Sequence, residues 1–174
     1  IDHGATFVAG DPATSIANAA GPAGEVIFRW GNPSSYGAGD APRFNDDGDQ
    51  QLFGSHCAVF LGTGNNTDFG TYGNILICDN GWNRPQGNRS RSVEIAPNFN
   101  DFEATEVVWT FQSGDQGSFY TAFQGGTQRL AGGNTFITST GEGHLFQVTP
   151  DGDVVWDFVN PRRNSGVPQC WNFD

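Results

Sequence analysis

The sequence predicts an all-β chain organised as part of a β-propeller with four-stranded blades, and three observations predict it. Twenty-five glycines and nine prolines are scattered through 174 residues without a triplet period, which excludes collagen and suits short strands joined by tight turns. An aromatic content of 13% argues against general disorder. The third observation is a repeat, and it carries most of the weight.

Three segments read alike: "GEVIFRWGNP" from Gly24, "TEVVWTFQS" from Thr105 and "GDVVWDFVNP" from Gly152. Each has an acid, two apolar residues, an aromatic, a polar residue and a second aromatic, the near-alternating signature of a strand. Before the second and third copies lies a "GN" strand start, at Gly73-Asn74 and Gly133-Asn134, followed by the related runs "SVEIAP" and "LFQVTPDG". The unit is therefore a first strand, a "GN" strand, a third strand and an aromatic strand. Trp109 and Trp156 stand 47 residues apart, the spacing of a four-stranded propeller blade. Insertions at 34–51, 62–72 and 81–90 lengthen the earlier interval.

The expected organisation is one partial propeller domain over 1–174. It comprises the last strand of one blade at 24–32, a blade at 53–113, a second at 119–160 and a tail from 161 to 174. Propellers close with at least about four blades, and an open stack leaves faces and edges uncovered. The remaining blades are expected from the same or another chain. The start at Ile-Asp-His, without an initiator methionine, implies a processed product, a fragment or the ordered part of something longer.

Eight basic residues, all arginine, against nineteen acids give a formal charge of -11. That excludes a nucleic-acid backbone as partner and suits an extracellular or salty setting. No stretch approaches the roughly 18 apolar residues of a membrane span, and no signal-peptide pattern opens the chain. Three cysteines and the sequons at Asn65 and Asn88, the expected glycosylation sites, point to a secreted or periplasmic protein. The carboxylate-rich stretches "FNDDGDQQ" and "TPDGD" lack the ligand order of a calcium loop, and there is no zinc spacing, phosphate loop or nucleophile elbow. No metal or cofactor is expected.

The motifs "RWGNPSSYG", "QQLFGSHCAVF", "GNILICDNG", "SRSVEI", "VVWTF", "SFYTAFQGGTQRL", "GNTFI" and "LFQVTPDGDVVWDFVNP" occur in an order and spacing that resemble the arylsulfotransferases, the aryl-sulfate sulfotransferase family. The likeness runs from about residue 24 to 161, the C-terminal part of the family's propeller. It implies a six-bladed propeller and transfer of a sulfuryl group from one phenol to another, without a nucleotide donor, through a histidine that takes the group covalently. His56 occupies that histidine's place. A cysteine after it departs from the family pattern, and other family functional groups lie upstream of the region this chain covers.

The residues themselves give His56 a rationale. It opens a first strand, and first strands line a propeller's channel, where ligands collect. A neutral imidazole nitrogen is a competent nucleophile. If residues 56–61 and 74–79 form a symmetric hairpin, facing residue numbers sum to 135. Cys57 then faces Cys78 in reach of a disulfide, and His56 faces Asp79, which would orient the ring. A bulge would shift this register and break both pairings. Arg91 and Arg129 are candidate cationic groups for sulfate oxygens, and Tyr120 is a candidate contact for an aromatic sulfate or phenol. The alternative is a non-catalytic secreted propeller with a structural or binding role, or one subunit of a multi-chain assembly. His144 lies on a third strand, away from the channel.

Overall fold

The structure, a computed structural model, describes residues 8, 10–19, 28–61, 73–98, 104–112 and 119–161. It is all-β, with two four-stranded antiparallel sheets. β1 (His56–Phe60), β2 (Ile75–Asp79), β3 (Arg91–Ala96) and β4 (Glu106–Phe111) form the first, in chain order. β5 (Gly126–Arg129), β6 (Thr135–Ser139), β7 (His144–Val148) and β8 (Val154–Val159) form the second. Among the described residues the helical elements are α1 (Pro12–Ala19) and a 3-10 turn at Pro33–Tyr36. Asp11 caps α1 by accepting the Thr14 backbone N–H at 3.0 Å and the Thr14 hydroxyl at 2.6 Å. Those bonds hold its carboxyl below the usual carboxylate range.

The sequence repeat appears as repeated geometry. Leu61 N–H donates to the Asn74 carbonyl and Leu130 N–H to the Asn134 carbonyl, both at 2.8 Å. Glu94 pairs with Trp109 as Gln147 pairs with Trp156. Each of these third-to-fourth-strand ladders is then interrupted by a bulge at the same place, after Glu94 and after Gln147.

Strand alternation gives each sheet two faces. On the first sheet, Leu76, Cys78, Ser92, Glu94, Trp109 and Phe111 share the face turned to the second sheet, whose β5 packs against β1 and β2. Phe111, Phe119, Ile137, Phe146 and Val148 form the apolar core between the sheets, bordered by Trp109. The Phe119 and Phe146 rings meet edge to face at 5.3 Å, a favoured aromatic geometry. The opposite face of the first sheet, with Ile77, Val93 and Ile95, is packed by Phe28, Trp30 and Leu52. Residues 28–30, within the strand expected at 24–32, carry no strand pairing. They cover this face with side chains instead. Residues 24–27 lie outside the described residues.

A buried ion pair fastens the two sheets. The Arg129 guanidinium donates to Glu94 and lies over the Trp109 ring, 4.6 Å from its centroid. Asn74 Nδ2 donates to the other Glu94 oxygen at 2.6 Å, and Arg129 Nη1 reaches the Thr135 hydroxyl at 2.8 Å. Removing one member of a buried pair strands the other's charge, which costs about 3–5 kcal/mol. Arg129→Ala is expected to lose stability on that scale in urea unfolding. Arg129→Met combined with Glu94→Gln, which keeps an acceptor for Asn74, is expected to recover at least half of the loss.

Candidate functional site

The sharpest departure from regular sheet geometry lies at the start of β1. From Ala58 onward the expected register holds: Ala58 faces Ile77, Val59 faces Leu76 and Phe60 faces Ile75. Before Ala58 the ladder slips, and His56 faces Cys78. Cys57 is the extra residue, with φ of 53°, a left-handed conformation uncommon outside glycine. This bulge corrects both expected pairings. His56 does not face Asp79, and Cys57 and Cys78 are free thiols, one exposed and one buried.

The thiols nevertheless share a neighbourhood. A Cβ built at Gly126 would lie 3.9 Å from the Cys57 sulfur, and one at Gly125 would lie 3.4 Å from the Cys78 sulfur. Burial, with Cys57 and Asp79 alongside, pushes the Cys78 thiol from 9.0 up to about 12.

His56 is exposed, and its Nδ1 lies 2.7 Å from Asn80 Oδ1. Asn80 is fully buried. Its Nδ2 donates to the carbonyls of Thr121 and Gln124, both at 2.7 Å. Two carbonyl partners fix the amide orientation, because only the NH₂ end can satisfy them. Oδ1 is thus the atom facing His56, and it can only accept. Nδ1 must carry the hydrogen, so in the neutral ring Nε2 holds the free lone pair. The junction is extended by Ser90, whose hydroxyl donates to the Asn80 carbonyl at 2.8 Å and accepts the Thr121 N–H at 3.0 Å. Gly81 completes the turn at φ of 65°, where a Cβ would collide with the Arg89 carbonyl.

Asp79, the partner first expected for His56, serves the other face of the sheet. Its carboxylate accepts from Arg84 Nη2 at 2.7 Å, Arg91 Nε at 3.0 Å and the Phe53 N–H at 2.8 Å. Arg84 also pairs with Asp47 at 3.0 Å and stacks on Phe53, 4.3 Å from the ring centroid. Arg91 and Arg129, the candidate sulfate-binding groups, are therefore both held by buried carboxylates, in Asp79 and Glu94. Tyr120 is half-buried, next to the Thr121–Gln124 segment that grips Asn80. Asn88 is exposed, with its Oδ1 accepting the Asn83 N–H at 2.9 Å; Asn65 lies outside the described residues. His144 contacts Asp157 at 3.5 Å, on the outer strands.

A cavity of about 480 Å³, lined by Phe28, Trp30, Tyr36, Leu52, Ala58 and Ile77 among others, opens on the Ile77 face of the first sheet. It lies across the sheet from His56. Among the described residues no group of three or more His, Cys, Asp or Glu is placed to hold a metal, and no helix is long and apolar enough to cross a membrane. No family model, curated protein or solved structure matches this chain.

Sequence reasoning missed Asn80. The signal was present in the "DNG" turn after β2, where a side-chain amide at a strand end can reach a neighbouring strand and a neighbouring sheet together.

The thiol environments give a direct test. Native-state alkylation at neutral pH is expected to label Cys57 and spare Cys78, read by peptide mass spectrometry. Because the folded Cys78 thiol keeps its proton above the unfolded value, its stabilising contribution is complete below pH 9.0 and declines as pH rises towards about 12. Cys78→Ala is expected to flatten the fall in stability over that window.

Proposed function

We propose that this chain is part of an arylsulfotransferase-like β-propeller, in which His56 carries a sulfuryl group between phenols. The two stacked four-stranded sheets would be consecutive blades, with β1 and β5 as their channel-lining strands. The observation that carries the reading is the Asn80 amide, locked by two carbonyls, which leaves Nε2 of an exposed imidazole as the nucleophilic atom. A secreted or periplasmic setting belongs to the same proposal.

In the first step the Nε2 lone pair forms a bond to the sulfur of an aryl sulfate. The bond from sulfur to the aryl oxygen breaks, and the phenolate leaves with both electrons to take a proton from solvent. Nδ1 keeps its hydrogen on Asn80 Oδ1, which stabilises the positive charge gained by the ring. In the second step the oxygen of another phenol attacks sulfur and releases its proton to solvent. The bond from sulfur to Nε2 breaks, and the neutral imidazole returns in its original tautomer.

A non-catalytic secreted propeller, with a structural or binding role, is the second reading. Its own observation is that Arg91 and Arg129 are bonded to buried carboxylates. Cationic help for the sulfate oxygens would then have to come from blades outside this chain.

Incubation of the intact protein with 4-nitrophenyl sulfate, followed by mass analysis, separates the two readings. A gain of one sulfuryl group on the His56 peptide, lost on adding a phenol and absent in His56→Ala, is the expected result. No gain on that peptide overturns the enzyme reading. Asn80→Ala is expected to slow sulfuryl transfer on the order of 10²-fold or more, as removal of a ring-orienting group does in acyl-transfer triads.

A further inference from the structure

The end of the stack that carries His56 also carries two large aromatic side chains in water. Trp82 is 55% exposed and Phe123 is 58% exposed. They come from different sheets: Trp82 follows β2, and Phe123 precedes β5. Each stands on backbone fastened beside the His56–Asn80 pair.

Trp82 lies two residues beyond Asn80, and its N–H donates to the Phe53 carbonyl at 3.1 Å. A Cβ built at Gly54 would stand 3.8 Å from the Trp82 Cβ, so the indole's root lies close to the chain two residues before His56. Phe53 is held in turn by Asp79 through its N–H and by Arg84 over its ring. Phe123 occupies the tip of the segment whose ends, Thr121 and Gln124, accept both Asn80 amide hydrogens. Its own carbonyl accepts the Thr121 hydroxyl at 2.9 Å. Neither aromatic is stranded on loose chain. Asp79, through Phe53, holds the backbone at Trp82, and Asn80, which orients the imidazole, holds the segment that carries Phe123.

We propose that Trp82 and Phe123 form an aryl-binding rim around His56 and select aromatic substrates there. This rests on the reading of His56 as the reactive residue. A flat ring binds such side chains by stacking and by removing apolar area from water. The anchored backbones lower the ordering cost of that binding, which is the benefit of preorganisation. The chemistry expected of the ligand is an unhindered phenol or its sulfate ester. A rim of two aromatics discriminates by ring area and leaves the ring substituents in solvent, so broad tolerance among phenols follows.

Isothermal titration of the intact protein with 4-nitrophenol tests the rim without any turnover. Saturable binding is expected in the wild type, weakened roughly tenfold by Trp82→Ala and by Phe123→Ala, as the loss of one aromatic contact predicts. Phe44→Ala supplies the control, because Phe44 is 93% exposed and has no tie to Asn80. It is expected to bind like the wild type. Should an alanine variant fail to fold, Trp82→Leu and Phe123→Leu keep apolar bulk while removing the stacking face, and they too should bind more weakly. No saturable binding, equal binding in the rim variants, or equal weakening by Phe44→Ala would each overturn the proposal. The outcome is separable from the sulfuryl-transfer assay. Rim-dependent binding without sulfonation removes the enzyme reading alone, whereas sulfonation with rim-independent binding removes the rim alone.

Discussion

The Asn80 side chain is the constraint on which the candidate site depends. One buried amide uses its carbonyl on an imidazole of its own sheet and its NH₂ on two carbonyls of the segment entering the next sheet. A buried amide leaves little room for alternatives, since each missing partner costs about 1–3 kcal/mol. Sheet stacking and imidazole tautomer therefore cannot vary separately. Any slide of the second sheet against the first would remove the carbonyls that orient the amide. The amide would then lose its reason to present an acceptor to Nδ1. Asp79, next along the strand, points to the other face and ties the 47–55 segment and Arg91 to the sheet. Adjacent residues with opposite directions thus hold the two surfaces that meet near His56.

Much of this fold was legible in the sequence because its repeat is written in residues that turns and cores require. The glycine-asparagine strand starts and the aromatic fourth strands both correspond to repeated backbone geometry. The hairpin register was also legible for Ala58, Val59 and Phe60. It failed at Cys57 for a physical reason. A symmetric hairpin assumes one residue for one residue, and a bulge is an insertion that composition does not announce when the residue in the left-handed conformation is not glycine. The same slip moved the orienting role from Asp79 to Asn80. Charge was a misleading guide there, because the stronger acceptor was already matched by two guanidinium groups on the far face.

The uncovered surfaces are as regular as the covered ones. On the second sheet, Trp156 stacks on Phe158 with ring centroids 6.4 Å apart and lies 6.0 Å from Phe136. These residues occupy the register positions of Trp109, Phe111 and Leu76 on the first sheet, which are the ones the second sheet packs against. Trp156 and Phe158 are each 47% exposed. The second sheet thus turns towards solvent an apolar face with the pattern that is buried on the first. At the other end Phe28 and Trp30 cover the Ile77 face of the first sheet without joining its ladder, and they leave the 480 Å³ cavity between themselves and the sheet.

The two sheets also serve as each other's control. At several positions that build the sheet the copies agree: Leu61 with Leu130, Asn74 with Asn134, Trp109 with Trp156. Around the candidate site they differ. By register His56 corresponds to Gly126, Asp79 to Ser139 and Arg91 to His144, and the bulge at Cys57 has no counterpart in the unbroken pairing of β5 with β6. A left-handed cysteine costs on the order of 1–3 kcal/mol that a regular strand would avoid. That cost falls at the residue beside the exposed imidazole, on a strand whose counterpart, β5, pairs without a bulge. Fold stability alone would favour the regular form in both sheets. The first sheet instead keeps the strained form, and with it the slip that brings His56 opposite Cys78 and within reach of Asn80.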